Sequence, residues 1–215
     1  MTAPRFRPPQ QPRSQETLDK ILDAAEHVLD EKSFTEATLA EIMERAGVTV
    51  GAFYRRFPDK DALLHLLDER FFQEMHEHAE TILNPARWDN TPIWPILNEL
   101  GRTAADVYRA RRGLLRSLFL RARVDPVIQR TARQVNEVFH ERLRAVLLAP
   151  GRREQITHPN PERAIALGFI MFVGALREAT IFGEIWPEYE QLTRDDLGDE
   201  MARLYGAYLG VAIAR

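Results

Sequence analysis

The sequence contains no cysteine, and that absence removes three kinds of site at once. Disulfide bonds, thiolate nucleophiles and cysteine-ligated zinc centres all require the thiol. Serine is scarce, occurring only at Ser14, Ser33 and Ser117, and none of these lies in a G-x-S-x-G segment. Neither a G-x-G-x-x-G loop nor a Walker A loop is present to bind phosphate groups. We therefore predict a protein that is not an enzyme, with no catalytic residues, no cofactor and no metal site.

Long hydrophobic runs are also missing. The longest, residues 164–175, is shorter than the roughly 18–20 residues of a membrane-spanning helix, and two charged residues follow it closely. The N-terminus is polar and rich in proline, without the apolar segment of a secretory signal. A net charge of −3 does not by itself indicate a nucleic-acid partner, but basic residues are grouped locally within the first sixty positions. We expect a cytoplasmic protein that does not contact a membrane.

Residues 38–60, TLAEIMERAGVTVGAFYRRFPDK, predict two short helices joined by a tight turn. Thr38 and Glu41 have the spacing of a capping box, and apolar residues follow at helical intervals. Gly47 can adopt the left-handed conformation that ends a helix, and Thr49 can cap the next one. The pattern is that of a helix-turn-helix.

The second of these helices is predicted to have one buried face and one exposed face. Phe53 and Phe57 lie four residues apart on the buried face, and Pro58 ends the helix. The exposed face then carries small residues, two arginines and a tyrosine, which suits a reader of the DNA major groove. The predicted base-edge contacts are Thr49, Val50, Ala52 and Arg55, with Gly51 beside them. The predicted phosphate contacts are Arg13, Thr38, Tyr54, Arg56 and Lys60. Helix-turn-helix shapes also occur as plain packing in all-α proteins, so a purely structural role stays open.

Residues 38–64 resemble the tetracycline-repressor (TetR) family of transcriptional regulators. The shared pattern is a threonine before the first of the two helices, then AGV-T-x-G-x-FY-x-x-F-x-x-K-x-x-LL. Ala52 departs from the family, whose members often carry a polar or bulkier residue there, and this bears on which bases are contacted. The resemblance implies a body that binds a small molecule, which lowers the affinity for DNA. It also implies dimerisation through the last two helices, so that two heads read a pseudo-palindromic operator.

Helical periodicity and the absence of strand alternation predict an all-α protein of about nine helices. Residues 1–13 are predicted to be a flexible arm, either a solvated tail or a segment that contacts the minor groove or phosphates. Residues 14–58 form the predicted three-helix DNA-binding domain, with Ser14 as its first cap. A larger ligand-binding and dimerisation domain is predicted over residues 59–215, with a last helix near residues 195–214 that is rich in glycine and alanine.

Aromatic residues are frequent among small residues in helices five to eight. Large aromatic side chains usually belong to the core, but pockets for small molecules are built from them together with a few polar groups. The candidate ligand-binding residues are Trp94, Tyr108, Phe119, Phe139, His140 and Phe172.

Together these features predict a homodimeric, sequence-specific regulator of transcription that binds double-stranded DNA. We predict a repressor that a small-molecule effector releases from its operator. One alternative is the same DNA-binding build controlled by a protein partner. Another is a helical small-molecule-binding protein without a DNA function. Salt-dependent binding to the promoter region of its own gene would separate the first two from the last.

Overall fold

The described part of the chain is folded into helices. The structure is a computed structural model that describes residues 12–185 and 196–213, and no β-strand occurs within them. The predicted all-α fold class is confirmed. Residues 1–11 of the predicted arm lie outside the described residues.

Nine α-helices lie within the described residues, joined by turns and short 3₁₀ segments. They are α1 (Pro12–Glu31), α2 (Leu39–Ala46), α3 (Val50–Tyr54), α4 (Lys60–Ile82), α5 (Ile93–Ala110), α6 (Arg112–Arg121), α7 (Pro126–Leu147), α8 (Pro161–Phe182) and α9 (Leu197–Leu209). The 3₁₀ segments are Pro85–Trp88, Arg153–Gln155 and Gly183–Ile185.

Helix ends follow local signals in the sequence, with three differences from the prediction. Helix α3 ends at Tyr54 and not at Phe57, the residue before Pro58, although the N–H of Phe57 still donates to the carbonyl of Phe53 at 3.0 Å. Helix α1 begins at Pro12 and not at Ser14, because proline is itself favourable in the first helical position. Helix α9 ends before Gly210, whose φ of 71° is the left-handed conformation that stops a helix. The helix predicted near residues 195–214 is therefore shorter at its C-terminal end, while residues 195 and 214 lie outside the described part.

The chain divides into two compact units. Among the described residues the first unit comprises 12–73 and 111–132, and the second unit comprises the rest. The boundaries fall within α4, within α7 and between α5 and α6. The first unit extends beyond the predicted domain 14–58, because α6 and the first turns of α4 contribute to its core.

Helix α6 lies directly against the end of α1 within the first unit. The N–H of Gly113 donates to the carboxylate of Asp30 at 3.2 Å. A Cβ atom added at Gly113 would lie 2.2 Å from the carbonyl oxygen of Leu29, so only glycine permits this approach. Arg111 also hydrogen-bonds Glu26 of α1. These contacts explain why α6 belongs to the same unit as α1.

Close helix packing in the second unit uses glycines. A Cβ atom at Gly101 of α5 would lie 2.2 Å from the carbonyl oxygen of Gly198 in α9. A Cβ atom at Gly168 of α8 would lie 2.1 Å from the ring of Tyr205, whose hydroxyl donates to the carbonyl of Ile165 at 2.6 Å. Gly168 and Gly198, two small residues of the last two helices, therefore have packing partners in their own chain.

Helix α8 nevertheless leaves large apolar side chains uncovered. The exposed ones on α8 and α9 are Leu167, Ile170, Met171, Phe182 and Leu204. Among the described residues, no atom outside the nearby backbone of α8 lies within 4 Å of a Cβ atom placed at Gly174. By length and composition alone, α8 is the one helix in the described residues that could cross a membrane, a test that core helices of soluble proteins also meet.

Candidate nucleic-acid interface

Helix α2 begins at a complete capping box. The hydroxyl of Thr38 accepts the N–H of Glu41 at 3.3 Å, and the Glu41 carboxylate accepts the N–H of Thr38 at 2.9 Å. The ammonium of Lys32 donates to the same carboxylate at 2.7 Å. These bonds, that from Lys32 first, lower the pKa of Glu41 to about 2. The first turn of α2 is thus fixed, while Thr38 remains exposed.

A glycine turn joins α2 to α3. Gly47 has a φ of 67°, and its N–H donates to the carbonyl of Glu44 at 3.0 Å. Val48 packs against the core of the first unit. The Thr49 hydroxyl accepts the N–H of Ala52 at 3.2 Å and caps α3. The predicted turn and both predicted caps are confirmed.

Two phenylalanine rings hold α3 in the core. Phe53 and Phe57 are fully buried, and their stacked rings have centroids 4.8 Å apart. Tyr54 meets the Phe53 ring edge-on at 5.3 Å, yet is 57% exposed. Because this face is fixed in the core, the opposite face is open to solvent. It consists of the exposed residues Thr49, Val50, Gly51, Tyr54 and Arg55 and the half-buried Ala52.

In the part of the chain that the structure describes, Gly51 has no neighbour that requires its small size. A Cβ atom there would meet the Thr49 hydroxyl at 3.9 Å, an ordinary contact distance. Glycine inside a helix costs up to about 1 kcal/mol relative to alanine, so its presence on α3 is not explained by packing. A partner that approaches closely from outside would use this space.

Two predicted phosphate contacts differ in accessibility near the start of α1. The guanidinium of Arg56 donates to the Ser14 hydroxyl at 2.9 Å and is half-buried. The sequence predicts Ser14 as a helix cap, but α1 starts earlier and the Ser14 hydroxyl binds Arg56. Arg13, the second residue of α1, is exposed. Arg13 is therefore directly available to an incoming phosphate, whereas Arg56 already has a partner.

Lys60 is also engaged within the chain. Its ammonium donates to the carbonyls of Phe34 at 2.6 Å and Ala37 at 2.8 Å. The same ammonium lies 4.4 Å from the centroid of the Phe34 ring. Desolvation by burial lowers the pKa of Lys60. The sequence predicts a phosphate contact for Lys60, but in the structure its ammonium bonds the connection between α1 and α2.

Residues 21–67 match the sequence profile of the family described as bacterial regulatory proteins, tetR family. The matched residues contain the capping box, the glycine turn and the buried Phe53 and Phe57. Residues 21–67 are a tetR-family domain. The resemblance seen in residues 38–64 is thereby confirmed.

Known tetR-family proteins extend the comparison. The HTH-type transcriptional regulator TtgR of Pseudomonas putida is 31% identical over 130 residues, which are 60% of this chain and 51% of TtgR. The chain thus spans about half the length of this relative. The fatty acid degradation regulator FadR from Bacillus halodurans has a TM-score of 0.67 at 20% identity, covering 97% of this chain and 100% of that one. FadR from Bacillus subtilis, in complex with stearoyl-CoA, has a TM-score of 0.62 at 17% identity, covering 90% and 99%. These structures show that the overall fold is shared.

The first unit also contains a polar cluster that no sequence motif predicted. Asp125 caps α7 by accepting the N–H of Val127 at 2.9 Å, and its other oxygen is hydrogen-bonded to His65 at 2.7 Å. Asp68 is 5% exposed, and burial raises the pKa of Asp68 to about 6. From the sequence, the position of Asp125 directly before Pro126 indicates only a helix cap. Its partners become visible when α4 and α7 pack together in the first unit.

The predicted ligand-binding aromatics fall into different units. Trp94, Phe139 and Phe172 are half-buried and pack against the core of the second unit. The sequence analysis groups Phe119 with them, but Phe119 lies on α6 and belongs to the first unit. Helix α6 is part of that unit because Gly113 allows it to pack closely against α1. Five of the six candidates, counting His140 and Tyr108, therefore share one unit.

His140 and Tyr108 are the polar candidates of the second unit. The Nε2 atom of His140 is buried and has no hydrogen-bond partner among the described residues, and its ring lies 6.2 Å from that of Phe169. Burial raises the pKa of Tyr108 to about 12, and the charge of Arg177 opposes that rise. Within residues 12–185 and 196–213, no group of three or more histidine, aspartate or glutamate side chains could hold a metal ion.

Proposed function

We propose that the protein is a sequence-specific, DNA-binding regulator of transcription. The observation that carries this proposal is α3, which is anchored through Phe53 and Phe57 and presents small residues, a tyrosine and an arginine to solvent. The major groove of B-DNA admits a helix of this kind. The tetR-family domain, and the name of the relative TtgR, support the same function.

Each exposed residue of the interface has a proposed role. Arg55 can donate two hydrogen bonds to a guanine edge, and Thr49 can bond to either base of a pair. Val50 and Ala52 offer apolar contact to a thymine methyl group, and Gly51 allows close approach. The proposed phosphate contacts are Arg13, Thr38, Tyr54 and Arg56, the last of which must also keep or exchange its bond to Ser14.

Replacing Arg55 by Ala is expected to weaken operator binding by about 1–3 kcal/mol, mainly at one base pair per half-site. Titration against a library of single-base variants of the promoter region would measure this. The matched control is Arg133→Ala, because the Arg133 side chain is 80% exposed on α7 in the second unit. Equal affinity of Arg55→Ala and wild type for every library member would show that α3 does not read bases.

We propose further that the protein acts as a homodimer through α8 and α9. Leu167, Ile170, Met171 and Gly174 follow the i, i+3, i+4, i+7 spacing of one helix face, and the three large side chains are exposed. A second copy related by twofold symmetry would present the same row and cover it. Leu204 adds an exposed apolar side chain on α9. Two copies would place two recognition helices on a pseudo-palindromic operator.

The proposed regulation is release from the operator by a small-molecule effector that binds the second unit, with the protein acting as a repressor in the cytoplasm. Half-buried Trp94, Phe139 and Phe172 supply apolar surface, and the unpaired nitrogen of His140 supplies one polar contact. FadR from Bacillus subtilis, which shares the fold, binds stearoyl-CoA. An effector that prefers the released state by about 10⁴-fold, or about 5.5 kcal/mol, would move the population from one extreme to the other.

A ligand found by a thermal-shift screen is expected to lower operator affinity when both are measured on the same protein. The physical reason is linkage, since a ligand shifts an equilibrium only by its difference in affinity for the two states. A tight ligand that leaves operator affinity unchanged would favour control by a protein partner. Ligand binding without any salt-dependent affinity for DNA would favour the small-molecule-binding alternative.

A further inference from the structure

The ammonium of Lys60 ties together the two ends of the helix-turn-helix segment, residues 38–59. Lys60 is the first residue of α4, and its ammonium donates at 2.8 Å to the carbonyl of Ala37, the residue just before the Thr38 cap of α2. A second hydrogen bond, of 2.6 Å, reaches the carbonyl of Phe34. The Phe34 ring lies against the same ammonium at 4.4 Å. One side chain therefore closes the segment that contains α2, the glycine turn and α3.

The surroundings of Lys60 favour a role in binding the backbone of its own chain over a role in contacting a DNA phosphate. Two of its three N–H donors are used by backbone carbonyls, and Lys60 itself is half-buried. Desolvation lowers the pKa of Lys60, and the charge of Arg121 acts in the same direction, while Asp61 opposes both. Carbonyl oxygens have taken the place of part of the hydration shell. To reach a phosphate, the ammonium would have to give up these bonds.

The acceptors of Lys60 belong to a connection that is itself tightly bonded. Between α1 and α2, the N–H and hydroxyl of Ser33 donate to the Glu36 carboxylate at 3.0 Å and 2.6 Å. Ala37 is 2% exposed. Because this connection is fixed, the bonds from Lys60 set where α4 begins relative to α2. Helix α3 lies in the chain between α2 and the start of α4, the two elements that Lys60 joins.

We infer that Lys60 is a positioning residue for DNA recognition and not a phosphate contact. It acts through the backbone of Ala37 and Phe34 to hold the orientation of α2 and α3 relative to the start of α4. A displacement of the first turn of α4 would consequently be passed to the recognition helix through this side chain. The inference rests on the proposed DNA-binding function, and it replaces the phosphate role that the sequence suggested for Lys60.

The first test compares salt dependence in full-length Lys60→Met, which keeps most of the stem and removes the donors. We expect operator affinity to fall by about 10- to 100-fold, the reduction anticipated when a displaced recognition helix loses one base contact worth about 1–3 kcal/mol. Affinity for unrelated DNA, and the slope of log affinity against log salt, should stay at wild-type values. The comparator is Arg13→Ala, whose proposed phosphate contact predicts a slope smaller by about 0.9 for each phosphate that is no longer neutralised. A slope reduced equally in Lys60→Met, or operator affinity left at the wild-type value, would overturn the inference.

The second test uses the wild-type protein, so its result does not depend on whether a variant folds. The chain has three lysines, Lys20, Lys32 and Lys60, so selective ¹⁵N-lysine labelling gives a simple ammonium NMR spectrum. We expect the Lys60 ammonium to be protected from rapid exchange in the free protein, unlike that of the exposed Lys20. Its signal should keep the same shift when operator DNA is added. Protection of Lys60 that appears only with DNA would identify a phosphate contact.

The two tests separate this inference from the proposed function. If the wild type bound no operator, the DNA-binding proposal would fail, while the spectrum of the free protein would still report on the bonds of Lys60. If the wild type bound its operator but the free Lys60 ammonium exchanged as fast as that of Lys20, DNA binding would stand and the positioning role would fall.

Discussion

Replacing Ile170 by Glu is expected to convert a dimeric protein into monomers. Ile170 is 64% exposed on α8, at the centre of the apolar row that we propose is covered by a second copy. A carboxylate buried there without a partner would cost on the order of 3–5 kcal/mol. A twofold interface carries the substitution twice, so the dissociation constant should rise by at least about a thousandfold. Sedimentation equilibrium at micromolar concentration would measure the change.

The matched control for this prediction is Val124→Glu. Val124 is also apolar and is 76% exposed, but it lies in the first unit, whereas α8 belongs to the second. The variant should remain dimeric, and circular dichroism should show both variants to be as helical as wild type. A wild type that sediments as a monomer, or Ile170→Glu that stays a dimer, would refute the proposed interface.

Replacing Asp68 by Asn is expected to stabilise the protein at pH 8 by up to about 3 kcal/mol. Burial raises the pKa of Asp68 from its usual 3.8 to about 6, and each pKa unit corresponds to about 1.4 kcal/mol. The cost arises because the ionised carboxylate is held away from water. An asparagine amide has nearly the same shape and is neutral. Urea unfolding of wild type and variant across the pH range would measure the difference.

The raised pKa of Asp68 also predicts how the difference in stability between wild type and Asp68→Asn depends on pH. Below about pH 4 Asp68 is protonated in both the folded and the unfolded states, so wild type and Asp68→Asn should be nearly equal. Between about pH 4 and pH 6 the folded state keeps the proton and the unfolded state loses it, so wild-type stability falls as pH rises. Above about pH 6 the advantage of the variant should be constant.

Asp125→Asn is the control of opposite sign in the same cluster. Although desolvation opposes the change, the hydrogen bonds from His65 and from the N–H of Val127 keep the pKa of Asp125 below its usual value. Its ionised form therefore adds stability at neutral pH, which is lost as pH falls through the folded-state pKa. The variant should be less stable than wild type at pH 7. A destabilised Asp68→Asn at pH 8 would contradict the assigned cost of the Asp68 charge.

Signals that act over a few residues were reliable in this chain. The capping box of Thr38 and Glu41, the left-handed Gly47 and the Thr49 cap each depend on atoms within four positions along the sequence. Such features form wherever the residues occur in order, because the bonds they make are local. The division of α3 into a buried and an exposed face followed from the spacing of two phenylalanines.

Roles that depend on distant partners could not be predicted in the same way. Arg56 and Ser14 are 42 positions apart, and Lys60 lies 23 positions from Ala37. Nothing in the pattern of residues 38–60 distinguishes a lysine that points to solvent from one that bonds a neighbouring backbone. The same holds for Gly113, whose small size is needed only because Leu29 packs against it.

Local patterns in the amino-acid sequence specify that the chain is helical, where the helix-turn-helix lies and which face of α3 is exposed. Helical periodicity, caps and glycine turns carry that information. Contacts between distant helices establish which basic residues near α3 are free and which are already bonded, and that Phe119 belongs to the first unit. They also leave the apolar row of α8 exposed, although Gly168 packs against Tyr205. These outcomes depend on contacts between helices far apart in the chain, and those contacts exist only once the hydrophobic faces have been buried together.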